Sequence, residues 1–192
     1  MDAFMAALVL GALTQGTERT PWLAAILADR WRRPGRMPLL LIVAAMLALA
    51  INYAIGVAAG MALTTLLTPA AKQLLLALAL VLAGVGTGWR VKRPDDLAGW
   101  RVGRTVTALA GLFIMAFGDR MQFIVAALAI RSPLPWASAV GATIGALAAI
   151  APAALLGEAA WCALPWRAIR LSVAAILTVA GIILGLSAVS LI

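Results

Sequence analysis

The chain has no histidine, a single cysteine and one tyrosine, and only 11% of its 192 residues are charged. Without histidine there is no imidazole to ligate a metal or to carry protons near neutral pH. Cys162 stands alone, so no intrachain disulfide forms, and we read it as a small packing residue near a helix end. With no histidine and no partner for the thiol, the usual nucleophile–base pairings are missing and an enzyme is not expected. The start of the chain also lacks a basic n-region. Only Asp2 precedes the first apolar run, and no A-x-A-like site follows it. That run is therefore expected to be a retained membrane span, not a cleaved signal peptide.

What is abundant is apolar surface. The hydrophobic fraction is 65% and the mean hydropathy is +1.06, against about 45–50% apolar residues in a typical soluble domain. A soluble chain of this size cannot hide that much, so the excess is expected to face lipid. The net charge of +8 does not imply nucleic acid, because the basic residues fall in short clusters between apolar stretches.

A spanning helix needs about 20 mostly apolar residues. Six segments qualify: residues 3–27, 39–67, 74–89, 106–130, 136–156 and 169–192. The third is short and ends in Gly84, Gly86 and Gly88. Arg30, Arg32, Arg33 and Arg36 follow the first span. Arg90, Lys92, Arg93, Arg101 and Arg104 follow the third, and Arg167 and Arg170 follow the fifth. The opposite side holds only Lys72 and Arg131. The positive-inside rule then puts the three rich loops in the cytoplasm and both termini outside. Trp31, Trp89, Trp100, Trp136, Trp161 and Trp166 gather near span ends, as an interfacial aromatic belt does, with ligand stacking as the alternative. Gly56-x-x-x-Gly60, Gly141-x-x-x-Gly145 and Gly181-x-x-x-Gly185 permit close helix contact. Glu158, near the end of the fifth span, reads as an interfacial carboxylate or as a gate.

Two spans carry charge at mid-depth: Glu18-Arg19 in the first and Asp119-Arg120 in the fourth. A shift of 101 residues superposes the two pairs, and also Ala25 on Ala126, Leu27 on Leu128, Ala28 on Ala129 and Arg30 on Arg131. The first span starts outside and the fourth inside, so the halves would be inverted repeats of three spans each, with a site at the midplane between them. The expected division is 1–89, a cytoplasmic loop at 90–105, and 106–192. A charge at the bilayer centre costs about 2.5–3.5 kcal/mol on insertion scales and marks a functional site by default. On an unbroken helix, Gln15, Glu18 and Arg19 share a face by their spacing, and Asp119 lies three residues before Gln122. Carboxylate and amide oxygens suit a hard divalent cation. The other reading is two ion pairs, Glu18 with Arg120 and Asp119 with Arg19, that lock the halves together.

At these residues the chain resembles a known family, whose members carry E-x-G-D-(K/R)-(S/T) once in each of two inverted three-helix repeats. It is the cation transporter family of the Golgi manganese/calcium transporters and bacterial manganese exporters, formerly uncharacterised protein family 0016. The first copy here reads Gln15-Gly16-Thr17-Glu18-Arg19-Thr20 and the second Ala116-Phe117-Gly118-Asp119-Arg120-Met121. Asn52-Tyr53-Ala54, Gly141-x-Thr143-x-Gly145, Pro152 and Gly157 also look like the family. The leading Glu of the motif is Gln15 in one copy and Ala116 in the other, the first Gly is Thr17, the last Ser/Thr of the second copy is Met121, and an Asn usual in the fifth span is Ile150. The family's motifs thus carry four carboxylates against two basic residues, whereas Glu18 and Asp119 here are balanced by Arg19 and Arg120.

The resemblance implies a divalent-cation exporter, for Mn²⁺ or Ca²⁺ and proton-coupled, with an altered site. Glu18, Asp119 and Gln15 would be ligands, and Arg19, Arg120 and Gln122 supporting groups. It implies a multi-pass protein of a bacterial inner membrane, whose partners are the lipid bilayer and the cation cargo, with no nucleic acid and no resident cofactor. The alternatives are a diverged non-transporting membrane protein that keeps the ion pairs for structure, and an exporter of another small polar or anionic substrate.

Overall fold

The computed structural model describes residues 2–31 and 38–189. Arg32, Arg33 and Arg36 of the first basic cluster lie outside the described residues. Among those described, all regular structure is helical: α1 (Asp2–Gly16), α2 (Arg19–Trp31), α3 (Leu39–Leu63), α4 (Pro69–Thr87), α5 (Arg104–Ala116), α6 (Arg120–Arg131), α7 (Pro135–Leu156), α8 (Glu158–Cys162) and α9 (Trp166–Ala188).

Helices α3, α4, α7 and α9 are each long and apolar enough to cross a bilayer, and α5 with α6 makes a fifth candidate bent by 69°. The chain is a multi-pass membrane protein. The expected first span is divided into α1, with 15 residues, and the more polar α2, with 13, so neither crosses alone. Helix α4 begins at Pro69, five residues ahead of the expected start. Thr68 caps it, accepting the Ala71 N–H at 3.3 Å, and Pro69 fills a first-turn position where its missing N–H costs nothing. Helix α8 was not expected.

Lipid tails are as apolar as leucine, so helices in a membrane associate by close fit and not by the hydrophobic effect. The core is accordingly small-residue packing: Ala7, Ala24, Ala45, Ala48, Ala142 and Ala146 are fully buried, while Leu82, Ile114 and Phe123 face outward. A Cβ on Gly60 would sit 2.5 Å from the Ala126 carbonyl oxygen of α6, and one on Gly145 would strike the Leu8 carbonyl of α1. These glycines set the α3–α6 and α7–α1 separations. Helix α1 packs on α7 and α5 on α3; α2 packs on α7 and α6 on α3; α4 pairs with α9.

The arginine-rich segments meet at one end of the bundle. Arg30 donates to the Asp96 and Ala98 carbonyls at 3.2 and 3.4 Å. Arg93 donates to both Glu158 oxygens at 2.8 and 3.0 Å, and Asp29 accepts the Glu158 N–H at 2.6 Å. Glu158 also accepts from the Trp22 indole at 3.1 Å. Its carboxyl is held below the usual range, first by the Arg93 hydrogen bonds, against a smaller opposing effect of burial. Trp89, Trp100 and Trp136 are exposed, as a belt requires. Trp161 is buried and its ring lies 4.4 Å from that of Trp166, which is half-buried, so Trp161 is a packing residue and not part of an exposed belt.

Candidate functional site

Both charged dipeptides sit where a helix breaks. Pro21 has no N–H for the Thr17 carbonyl, and its ring would crowd that carbonyl in a continuous helix. Thr14 and Thr17 reinforce the stop by turning their hydroxyls back onto the Leu10 and Thr14 carbonyls, at 2.7 and 2.8 Å. Helix α1 therefore ends at Gly16 and α2 begins at Arg19. In the second break, Phe117 is extended and Gly118 takes φ +74°, a conformation that favours glycine. Asp119 then caps α6, its Oδ1 accepting the Gln122 N–H at 2.7 Å. The amide oxygen of Gln122 accepts the Gly118 N–H at 2.8 Å. At membrane depth, backbone groups freed this way survive only where protein or a wet cavity satisfies them.

The structure sorts the six residues singled out in the sequence into separate groups. Gln15, fully buried, donates its amide to the Tyr53 hydroxyl at 3.0 Å and to Asp119 Oδ2 at 2.5 Å. Gln122 joins this group by donating to the Asn52 backbone carbonyl at 3.0 Å. Glu18 accepts instead from Arg120 Nε. Arg120 is held from behind by the Thr87 hydroxyl at 2.6 Å, with the Ala83 carbonyl at 3.5 Å. Arg19 is exposed on the first turn of α2. Of the two expected ion pairs, Glu18–Arg120 forms; Asp119 does not pair with Arg19 and takes the Gln15 amide in its place. Nor do Gln15, Glu18 and Arg19 share a helix face. The break between them turns Gln15 inward and Arg19 outward.

Three residues of this network carried no role in the sequence reading: Tyr53, Asn52 and Thr87. Asn52 and Tyr53 stand out as polar groups inside an apolar span, but nothing in their spacing ties them to Gln15 or Asp119. Among the described residues, three buried polar atoms have no hydrogen-bond partner: Gln15 Oε1, Asn52 Oδ1 and Asn52 Nδ2.

A cavity of about 210 Å³ reaches the first break from the arginine-rich end. Glu18 lies on its wall with Trp22, Trp161, Trp166, Arg90 and Arg170. The side chain of Glu18 keeps 15% exposure, whereas Asp119 is buried. Among the described residues no three Asp, Glu, Cys or His side chains gather as a metal site would need. Any cation held here must draw on neutral oxygens beside at most two carboxylates, one of which has an arginine on it.

Residues 104–191, from α5 onward, match the family model described as divalent cation/proton antiporter GDT1. This is the family that the two motifs resemble. No curated protein and no solved structure matches the chain.

Proposed function

We propose, from the placement of residues 104–191 in the divalent cation/proton antiporter family, that this chain exchanges Mn²⁺ or Ca²⁺ for protons across a bacterial inner membrane and exports the metal. The single observation that carries the reading is Glu18, a carboxylate at a mid-span helix break on the wall of a cavity that opens among the arginine-rich loops. With those loops cytoplasmic, the ion loads from inside the cell and both termini lie outside.

The same reading makes α1 with α2 a broken span, giving six spans in two inverted halves. In support, α2 and α6 begin 101 residues apart, the shift that superposes Glu18-Arg19 on Asp119-Arg120. Helix α1 packs on α7 as α5 packs on α3, and α2 on α7 as α6 on α3.

Arg120 sets the terms of binding. Its guanidinium already neutralises Glu18, so an arriving divalent ion must displace it while losing its own water. The ion and Arg120 then alternate on one carboxylate, with Thr87 and the Ala83 carbonyl retaining Arg120 nearby. Weak binding suits a cargo that has to leave. A proton on Glu18 or Asp119 gives the counter-transport step its charge.

The test is flux into proteoliposomes carrying a Mn²⁺ indicator and an imposed pH gradient. Wild type is expected to move Mn²⁺ with the gradient, and Glu18→Gln and Asp119→Asn to fall to background. Identical behaviour of all three overturns the proposal. If the ion pair is purely structural, Glu18→Gln lowers the Tm and Mn²⁺ raises the Tm of no variant. Arg90 and Arg170 on the cavity wall favour a small anionic cargo instead, and in that case wild type shows no Mn²⁺ flux.

A further inference from the structure

Asn52 is fully buried, and both polar atoms of its side chain lack a hydrogen-bond partner. A buried unpaired polar group costs stability, and its persistence calls for a reason. Gln15 Oε1 is orphaned in the same network. Asn52 is followed directly by Tyr53, which accepts from Gln15. The backbone carbonyl of Asn52 accepts from the Gln122 side-chain amide, and Asp119 accepts the Gln122 backbone N–H. Two unused amide oxygens, Gln15 Oε1 and Asn52 Oδ1, are thus carried by residues that other atoms tie into the network around one buried carboxylate, and Asn52 lies outside both motifs.

We propose that Asn52 is a cation ligand: its Oδ1, with Gln15 Oε1 and the Asp119 carboxylate, forms an occluded, oxygen-only position for a hard divalent cation, distinct from Glu18 on the cavity wall. The proposal rests on the antiport reading and gives it a second station. In the orientation seen, Gln15 turns its NH₂ to Asp119. A half-turn of that amide brings Oε1 to the same place, where two facing acceptors repel each other unless a cation or a proton lies between them. Amide and carboxylate oxygens select Mn²⁺, Ca²⁺ or Mg²⁺ over thiolate-seeking ions, and Cys162 lies elsewhere, beside the open cavity. One carboxylate against a divalent charge keeps binding weak enough to release.

The experiment uses the full-length protein in nanodiscs for Tm with and without Mn²⁺, and in proteoliposomes for flux. Asn52→Leu keeps the side chain's size and removes its polar atoms. It is expected to raise the Tm without cation, to abolish the Mn²⁺-dependent Tm rise, and to raise the KM for Mn²⁺ by about tenfold or more. Asn52→Asp is expected to tighten Mn²⁺ binding, because it matches the ion's two charges. A lower Tm for Asn52→Leu with an unchanged KM shows a structural amide and overturns the inference. So does a wild type whose Tm ignores Mn²⁺. If Asn52→Leu does not fold, Asn52→Asp decides, and binding no tighter than wild type overturns the inference. Should Glu18→Gln abolish flux while Asn52→Leu transports as wild type, this inference fails and the antiport reading stands. Absence of wild-type flux of Mn²⁺ or Ca²⁺ defeats the antiport reading itself.

Discussion

Gln15 stands where the resembled family has a glutamate, and its neighbours show what that replacement does. As an amide it donates to Asp119 and needs no counter-charge, so the buried cluster holds one carboxylate. Gln15→Glu restores the second. Two carboxylates this close repel in a low dielectric, and a divalent cation relieves the repulsion. The variant is therefore expected to have a lower Tm than wild type in chelator and a larger rise on adding Mn²⁺, with a lower KM for Mn²⁺ in flux. A Tm that ignores Mn²⁺ would remove Gln15 from the ion path. At this scale the sequence disclosed the unusual charges and not their partners. Glu18, Asp119 and the arginines were conspicuous because charge is costly in lipid. That Asp119 takes an amide while Arg19 points outward depends on where each helix stops. The role proposed for Asn52 depends on hydrogen bonds that its side chain does not make, which no spacing rule can reveal.

The elements carry their reasons in different places. The α4 start was written in Thr68-Pro69, a capping signal that outranked the hydropathy used to place the span. The division of the first span was written in Pro21. The second break has no proline and relies on Gly118 at φ +74° with the Asp119 cap. Replacing Gly118 by alanine forces an L-residue into the left-handed region, a cost of about 1–2 kcal/mol. Gly16→Ala is the control: nothing lies within 4 Å of the added Cβ and its backbone is helical. Thermal unfolding should show Gly118→Ala below wild type and Gly16→Ala at or above it. Equal Tm values for the two would mean that the second break is not held by backbone conformation. A Gly118→Ala protein that folds but straightens the 69° bend would also lose the Asp119 cap, and with it the aim of Asp119 at Gln15.

For the whole molecule, orientation decides whether the cavity loads from the cytoplasm, and the chain's one cysteine reports it. Cys162 is exposed on the cavity wall, at the end where Arg30, Arg93 and Glu158 tie the connecting segments together. Burial pushes its thiol above the ordinary value of 9.0, and the Glu158 charge adds to that. The thiolate fraction at neutral pH is therefore smaller than that of a free cysteine, and maleimide labelling should be slower, rising as the pH is raised. A membrane-impermeant maleimide added to inverted membrane vesicles should label the protein, and Cys162→Ser should remove the signal. Added to intact spheroplasts, the same reagent should leave the protein unlabelled. Labelling from the spheroplast side alone would turn the molecule over: the cavity would then open outward and Glu18 would meet external ions first, which overturns loading from inside the cell.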